Sequence, residues 1–168
     1  MSENDQELFN LAMSDESRPL MYAVKKHIDE NVAPITEEFF ALNEDKEDRW
    51  TWHPRQMELL DGAKAKAKES GLWNFFLPDD ETGQGLTNLD YAYIAAELGK
   101  YALASESLNC SAPDTGNMEV LERVGTPEQK DKWLTPLLNG EIRSAYAMTE
   151  PGVASSDAKN VATKAVLE

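Results

Sequence analysis

Cysteine is almost missing from this sequence, which contains Cys110 and no other. One thiol cannot form an internal disulfide, which favours a reducing compartment. Histidine is nearly as scarce, because His27 and His53 are the only two and lie far apart. No group of cysteines and histidines has the spacing of metal ligands. We therefore expect no metal site, and we interpret these three residues as packing residues.

Positive charge is also scarce, since 16 Lys and Arg stand against 31 Asp and Glu and give a net charge of -15. Nucleic acids and anionic membranes are bound by basic surfaces, so neither partner is expected. No apolar run approaches the ~20 residues of a spanning helix, and the opening MSENDQELF lacks the features of a signal or transit peptide. These absences predict a cytoplasmic protein, in which a phosphate-bearing ligand would need local donors.

Helical patterns occupy most of the chain. Residues 1–16 are polar and weakly periodic, and we expect them to be flexible. An apolar residue every four positions from Leu20 to Ile28 then predicts a helix. Pro34 lacks a backbone donor and crowds the previous turn, so it should kink or break this helix before it continues to Leu42.

Capping residues mark the ends of three more predicted helices. They run from Pro54 to Gly71, from Thr87 to Gly99 and from Thr126 to Gly140. The lysines of AKAKAK, residues 63–68, are interpreted as a solvated helix face. A further helical or loop stretch is broken around Pro113 and stops at Gly125. Residues 17–140 are therefore predicted to form a helical domain.

The pattern changes near residue 141. Strands are suggested by Ile142, Ala145 to Met148, Val161, Thr163 and Val166. Two short strands cannot bury a sheet face alone, so residues 141–168 are predicted to be the start of a truncated β-domain. The expected fold is mainly α, with a helical domain followed by the first strands of an incomplete β-domain, as part of a larger protein.

The stretch AYAMTEPGVASSDAKN, residues 145–160, is the candidate binding loop. Pro151 forbids continued pairing and presents the Thr149 hydroxyl and the preceding backbone donors. Ser155 and Ser156 add neutral donors, the composition of a turn that holds an anion with backbone dipoles. The same residue types also form plain turns through their own backbone bonds. Composition alone leaves both interpretations open.

Three sequence blocks carry a resemblance to a known family. GLWNFFLPDDETGQGLTNLDYAYIAAELGK, GTPEQKDKWLTPLLNGEIR and AYAMTEPGVASSDAKNVAT are similar in order and spacing to the acyl-CoA dehydrogenases. The likeness covers residues 18–165. Within the family, the sequence resembles most the branch that includes long-chain-acting, kinase-fused members. Two departures concern the loop: Ser155 stands where the family usually has Gly, and residues 151–157 are one residue longer than the common form.

The resemblance implies a helical domain, a middle β-domain and a C-terminal four-helix bundle. It implies FAD-dependent α,β-dehydrogenation of an acyl-CoA thioester, in which a carboxylate base takes the α-proton and flavin N5 accepts the β-hydride. No catalytic residue is assigned within these 168 residues, so the chain is expected to be inactive alone. Glu150 matches no base motif and is predicted to be a structural hydrogen-bond acceptor.

The resemblance also implies site residues and partners. Tyr146 flanks the flavin, the Met148 backbone and the Thr149 hydroxyl donate to its ring, and Ser156, next to Ser155, touches the FAD diphosphate. The implied cofactor-binding residues are thus Tyr146, Met148, Thr149, Ser155 and Ser156, and the implied substrate-binding residues are Ser111, Thr115 and Ser156. The implied partners are an acyl-CoA, an electron-transfer flavoprotein as acceptor, and further copies of the chain in a homo-oligomer.

Two other functions stay open from the sequence. One is a non-catalytic helical module that binds acyl-CoA or a partner protein without flavin. The other is a flavoenzyme that oxidises a different substrate, such as a nitroalkane, with oxygen as acceptor.

Overall fold

The computed structural model describes residues 11–43, 48, 50–79 and 82–167, and this part of the chain is mainly helical. Of the segment predicted to be flexible, residues 1–16, the first ten residues lie outside the described part of the chain. The α-helices are α1 Arg18–His27, α2 Ala33–Ala41, α3 Pro54–Glu69, α4 Asn88–Leu98, α5 Ala104–Ser107, α6 Asp114–Val124, α7 Pro127–Gln129 and α8 Thr135–Asn139. Two π turns, Ile28–Val32 and Lys130–Leu134, join α1 to α2 and α7 to α8.

Each π turn lies directly before a proline in the first turn of the next helix, Pro34 in one case and Pro136 in the other. The backbone N–H of Ala33 reaches the carbonyl of Ile28 five residues back. A proline in a regular helix would leave one carbonyl without a donor and press its ring against it. The wider turn accommodates both effects, so the helix continues past Pro34, as predicted, with the interruption confined to one turn.

The predicted helix ends are confirmed by their caps. The Thr87 hydroxyl accepts from the Asp90 amide at 3.1 Å. Thr126 forms a capping box with Gln129, with bonds of 2.9 and 3.3 Å, and Gly140 ends α8 at φ 72°. One cap was not predicted: Nδ1 of His53 accepts from the Arg55 amide at 3.0 Å at the start of α3. His53 is therefore a capping residue.

The helices surround one apolar core. Helix α1 packs on α4, α3 on α2 and α5, and α6 on α8. The loop between α3 and α4, predicted to be non-helical, contributes Phe75 and Leu77 to the centre of this core. Other side chains with almost no exposed surface are Val24, Val32, Leu60, Ile94, Leu108 and Met118.

Residues 11–16 lie against α4. The Ser14 amide donates to Oδ1 of Asp90 at 2.8 Å, and the Tyr93 hydroxyl donates to the Leu11 carbonyl at 2.6 Å. Met13 is 5% exposed and belongs to the core. These contacts attach the end of the predicted flexible segment to the helical layer.

The strands predicted after residue 141 are not formed in the described residues 141–167. Apart from a 3-10 turn at Ala158–Asn160, this part has no regular secondary structure. A strand is stable only beside partner strands that satisfy its backbone groups. Val166 is 79% exposed and Leu167 is fully exposed, as expected for segments without a covering sheet. The domain boundary at residue 140 stays a prediction.

Candidate functional site

The Thr-Glu-Pro segment, residues 143–151, carries three of the predicted cofactor-binding residues. Tyr146 is 72% exposed, Met148 is half-buried and Thr149 is exposed. Within the described residues, neither the Thr149 hydroxyl nor the Met148 amide has a hydrogen-bond partner. Both are therefore available to donate to a ligand at this surface.

The other two predicted cofactor-binding residues differ from each other. The Ser155 hydroxyl accepts from the Glu150 amide at 3.2 Å, which closes the loop on itself. Ser156 is exposed and its hydroxyl has no partner among the described residues. Asp157 accepts from the Lys159 amide at 3.1 Å and caps the 3-10 turn. The loop therefore combines a self-bonded turn at Ser155 with an available donor at Ser156.

Glu150 holds this loop to the chain that follows it. Its carboxylate accepts from the Ala162 and Thr163 amides, each at 2.9 Å, and from the Thr163 hydroxyl. The Thr163 hydroxyl bond, followed by the two amide bonds, lowers the pKa of Glu150. The prediction that Glu150 is a structural acceptor is confirmed, because both carboxylate oxygens are engaged.

Asp114 holds the beginning of the Thr-Glu-Pro segment, and the sequence analysis missed it. Its Oδ1 accepts from the Ser144 amide at 2.7 Å and from the Ser144 hydroxyl at 2.6 Å. Its Oδ2 accepts from Nε of Arg143 at 2.6 Å. Burial is the largest single influence on the pKa of Asp114 and raises it, but the bonds from Ser144 and Arg143 together outweigh burial and lower the pKa.

A second carboxylate extends this arrangement into a charged cluster. Oε1 of Glu106 accepts from Nη1 of Arg143 at 2.6 Å and from Nζ of Lys64 at 2.8 Å. The Lys64 side chain is only 19% exposed, so the prediction that all lysines of residues 63–68 form a solvated face is wrong for Lys64. The cluster of Lys64, Glu106, Asp114 and Arg143 joins α3, α5 and α6 to the Thr-Glu-Pro segment. Lys64 belongs to the repeated Ala-Lys pattern of residues 63–68. Such a pattern gives no signal in the sequence of a partner more than 40 residues away.

The predicted substrate-binding residues Ser111 and Thr115 line separate cavities. Ser111 lies in a cavity of about 380 Å³ together with Trp52, Leu103 and Glu106. Thr115 lies in a smaller cavity of about 140 Å³ that Tyr91 also lines. The described residues therefore do not bring Ser111 and Thr115 into one pocket, and their role in substrate binding stays a prediction.

A third cavity, of about 460 Å³, adjoins the Thr-Glu-Pro segment. Its wall is mostly apolar, and Arg143, Ser144 and Ala145 form part of it. The apolar lining residues are Val120, Leu121, Trp133, Leu137 and Ile142. The beginning of the segment thus lies between the charged cluster and an apolar concavity.

Metal-binding and thiol chemistry find no support in the described residues. They contain no group of three or more His, Cys, Asp or Glu side chains able to hold a metal ion. Cys110 is buried, and burial raises the pKa of its thiol, which fits a packing role. His27 is buried, and its Nε2 lies 3.1 Å from the Ser107 hydroxyl.

No helix in the described part of the chain is long and apolar enough to cross a membrane.

Comparison with known proteins identifies the class. The family model for the acyl-CoA dehydrogenase N-terminal domain matches residues 14–141. A solved structure of a Mycobacterium abscessus protein proposed to be an acyl-CoA dehydrogenase is similar with a TM-score of 0.85 and 47% identity, over 94% of this chain and 40% of that one. The chain belongs to the acyl-CoA dehydrogenase family.

Curated relatives give the same assignment. Acyl-CoA dehydrogenase family member 10 of Mus musculus is 47% identical over 154 residues, which are 89% of this chain and 14% of that protein. Acyl-CoA dehydrogenase family member 11 of Homo sapiens is 49% identical over 138 residues, which are 82% of this chain and 17% of that protein. The chain therefore spans less than a fifth of either relative.

Proposed function

We propose that this chain is the N-terminal part of an oxidoreductase that catalyses FAD-dependent α,β-dehydrogenation of an acyl-CoA thioester. Residues 17–140 would form its helical domain, and residues 141–168 would become the first strands of a β-domain once partner strands are present. Family membership supports this assignment. The observation that carries it is a segment held at both ends, by Asp114 and Glu150, with donors between them that have no partner among the described residues.

The donors on this segment fit FAD because they are neutral and at least partly exposed. The Met148 amide and the Thr149 hydroxyl would donate to the ring, Tyr146 would lie against it, and Ser155 and Ser156 would contact the diphosphate. In a chain with a net charge of -15, such local donors replace a basic field. A bound FAD would supply a hydride acceptor, and donors to its ring would stabilise the negative charge that develops on reduction.

Ser111, Thr115 and Ser156 are the substrate contacts that we propose for the acyl-CoA. Ser156 would lie near the CoA arm, while Ser111 and Thr115 would line the acyl tail. We further propose an electron-transfer flavoprotein as acceptor, a homo-oligomeric complete enzyme and a cytoplasmic location. These assignments rest on the family resemblance and, for the location, on the single cysteine.

A non-catalytic module that binds acyl-CoA or a partner protein is the second candidate. The carboxylates described around the segment favour it, because Glu106, Asp114 and Glu150 all accept hydrogen bonds from neighbouring residues. None of them is left to act as a base. In the first proposal the base would come from outside the matched residues.

Flavin binding separates the two candidates. We expect FAD added to the purified chain to remain bound through gel filtration and to show flavin absorbance bands, and an acyl-CoA to bleach these bands in the enzyme that contains the chain. A colourless protein that is folded by circular dichroism and still binds acyl-CoA would support the second candidate. Bleaching by a nitroalkane and not by an acyl-CoA would identify a different flavoenzyme.

A further inference from the structure

Asp114 connects the helical layer to the segment that carries the proposed flavin donors. It is the first residue of α6, and its side chain is 4% exposed. Three donors from two consecutive residues, Arg143 and Ser144, converge on its carboxylate at 2.6–2.7 Å. A buried carboxylate needs such compensation, because an unpaired charge in a low dielectric is strongly unfavourable. Movement of the segment would remove that compensation.

Ser144 is held from two sides. Its hydroxyl donates to Oδ1 of Asp114 at 2.6 Å and accepts from Nδ2 of Asn117 at 2.8 Å. Asp114 and Asn117 are three residues apart on α6, so one helix face fixes both the backbone and the side chain of Ser144. The chain direction that leaves Ser144 is thereby set by a helix and not by the loop itself.

The donors follow shortly after this point. Met148 and Thr149 lie four and five residues after Ser144. Nδ2 of Asn117 also donates to the Ala145 carbonyl at 3.5 Å, and the side-chain contact after that one is at Glu150. Between the two, residues 146–149 make no side-chain hydrogen bond within the described residues. The position of the donors therefore depends on the two ends of the segment.

We propose that Asp114 is a positioning residue for flavin binding, which acts through Arg143 and Ser144 by fixing where the Met148 amide and the Thr149 hydroxyl lie. The proposal rests on the proposed function for its flavin readout. Its structural part, the fixing of residues 145–149, is tested without flavin. Asp114 itself touches neither cofactor nor substrate in this role.

The test variant is Asp114→Asn in the 168-residue chain, which keeps the side-chain shape and places an amide donor against the donors of Arg143 or Ser144. We expect the 15N order parameters of residues 145–149 to fall from roughly 0.85 to below about 0.6, while those of α1 to α4 stay unchanged. FAD titration followed by flavin fluorescence should show that the affinity for FAD is at least about tenfold lower, because misplaced donors cannot all reach the ring.

Two control variants separate positioning from charge and from stability. Glu122→Gln removes one negative charge from the same helix, and Gly71→Ala introduces backbone strain at a residue outside the segment and the charged cluster. Both should leave the order parameters and the FAD affinity unchanged. Ser144→Ala keeps the Arg143 pair and should give a smaller loss than Asp114→Asn, and it replaces Asp114→Asn as the test if that variant does not fold.

Unchanged order parameters in residues 145–149 of a folded Asp114→Asn or Ser144→Ala variant would overturn the proposal, whether or not FAD affinity changes. Increased mobility with unchanged FAD affinity would also overturn it. Failure of the unaltered chain to bind FAD would contradict the proposed function, and the order parameters would then still decide whether Asp114 fixes the segment.

Discussion

Asn74 and Asn109 bond to each other while both adopt the left-handed backbone conformation. Their φ angles are 60° and 57°, and Nδ2 of Asn109 donates to Oδ1 of Asn74 at 2.7 Å. Asn109 also donates to the Leu137 carbonyl at 3.0 Å, and Nδ2 of Asn74 donates to the Leu138 carbonyl at 2.8 Å. The pair thus satisfies two carbonyls in the last turn of α8, which leads into the Thr-Glu-Pro segment.

Replacement of Asn109 should separate the backbone and side-chain parts of this arrangement. Asn109→Gly loses the two hydrogen bonds and should lower the free energy of unfolding by about 1–2 kcal/mol. Asn109→Ala should cost about 1 kcal/mol more, because a Cβ without a local polar group is strained at this φ. Urea unfolding followed by circular dichroism measures both. Equal losses in the two variants would show that the backbone conformation is not strained.

Gly140 and Gly71 offer a matched pair at nearly the same backbone angle, with φ of 72° and 69°. A Cβ at Gly140 would lie 2.8 Å from Cζ2 of Trp73, whereas a Cβ at Gly71 meets nothing within 4 Å. Gly71→Ala should therefore lower the free energy of unfolding by about 1–2 kcal/mol from strain alone. Gly140→Ala should lower it by about 1–3 kcal/mol more. Similar urea midpoints for the two variants would contradict the close approach to Trp73.

The Trp73 ring has little freedom to move away from Gly140. Its Nε1 donates to the Leu138 carbonyl at 2.6 Å, and Nζ of Lys68 lies 4.4 Å from the ring centroid. Displacement of the ring would therefore weaken the bond to Leu138, which is why we expect the larger cost at Gly140.

His27 should make stability depend on pH near neutrality. The Ser107 hydroxyl donates to the Ala104 carbonyl at 2.8 Å, so Nε2 of His27 is the donor in the 3.1 Å contact with Ser107. Burial lowers the pKa of His27. Below about pH 6.5 the unfolded chain binds a proton that the folded chain does not. The free energy of unfolding therefore decreases as the pH is lowered, by at most about 1.4 kcal/mol per pH unit.

The variant His27→Gln keeps a donor near Ser107 and does not titrate. Urea unfolding between pH 8 and pH 5 should therefore give a flatter pH dependence for the variant than for the unaltered chain. The carboxylates with lowered pKa values, such as Asp114 and Glu150, contribute stability that is lost at lower pH, below their ordinary range near 4. Parallel curves for the two proteins would exclude His27 as the titrating group.

Thr149→Ala should weaken FAD binding without changing the fold. Loss of one hydrogen bond predicts an affinity about threefold to tenfold lower in a flavin-fluorescence titration. The exposed Thr149 hydroxyl has no partner among the described residues, so the urea midpoint should stay the same. Thr135→Ala, the same change at another exposed threonine, should leave the FAD affinity unchanged. An unchanged affinity in Thr149→Ala would remove Thr149 from the proposed site.

Local signals made much of the helical layer predictable. The Thr87 and Thr126 caps and the stop at Gly140 depend on residues within a few positions of one another, and the structure has all three. The π turns were not predicted, although Pro34 was recognised as an interruption. A π turn adds a residue to the turn, so it rotates the following residues relative to a continuous α-helix. In the helix after the first π turn, Phe39 is 4% exposed while the adjacent Phe40 is 42% exposed.

The candidate site was predictable only where a family motif covers it. The motif indicated Thr149 and Ser156, which are exposed donors in the structure, and gave no sign of Asp114. Asp114 acts on residues 29 and 30 positions away, and a single acidic residue after a proline has no pattern that reveals such a partner. The prediction of strands after residue 141 was wrong for the described residues for a related reason, because strand pairing depends on partner strands and not on composition alone.

The charged cluster is balanced within itself, because Lys64 and Arg143 offset Glu106 and Asp114. The net charge of -15 is therefore carried by the other side chains, and most of those in the described part of the chain face water. A polyanion such as a dinucleotide would approach against this field, and counterions would shield it. Added salt should then strengthen the capture of such a ligand, opposite to its effect on proteins that hold phosphates with lysine and arginine.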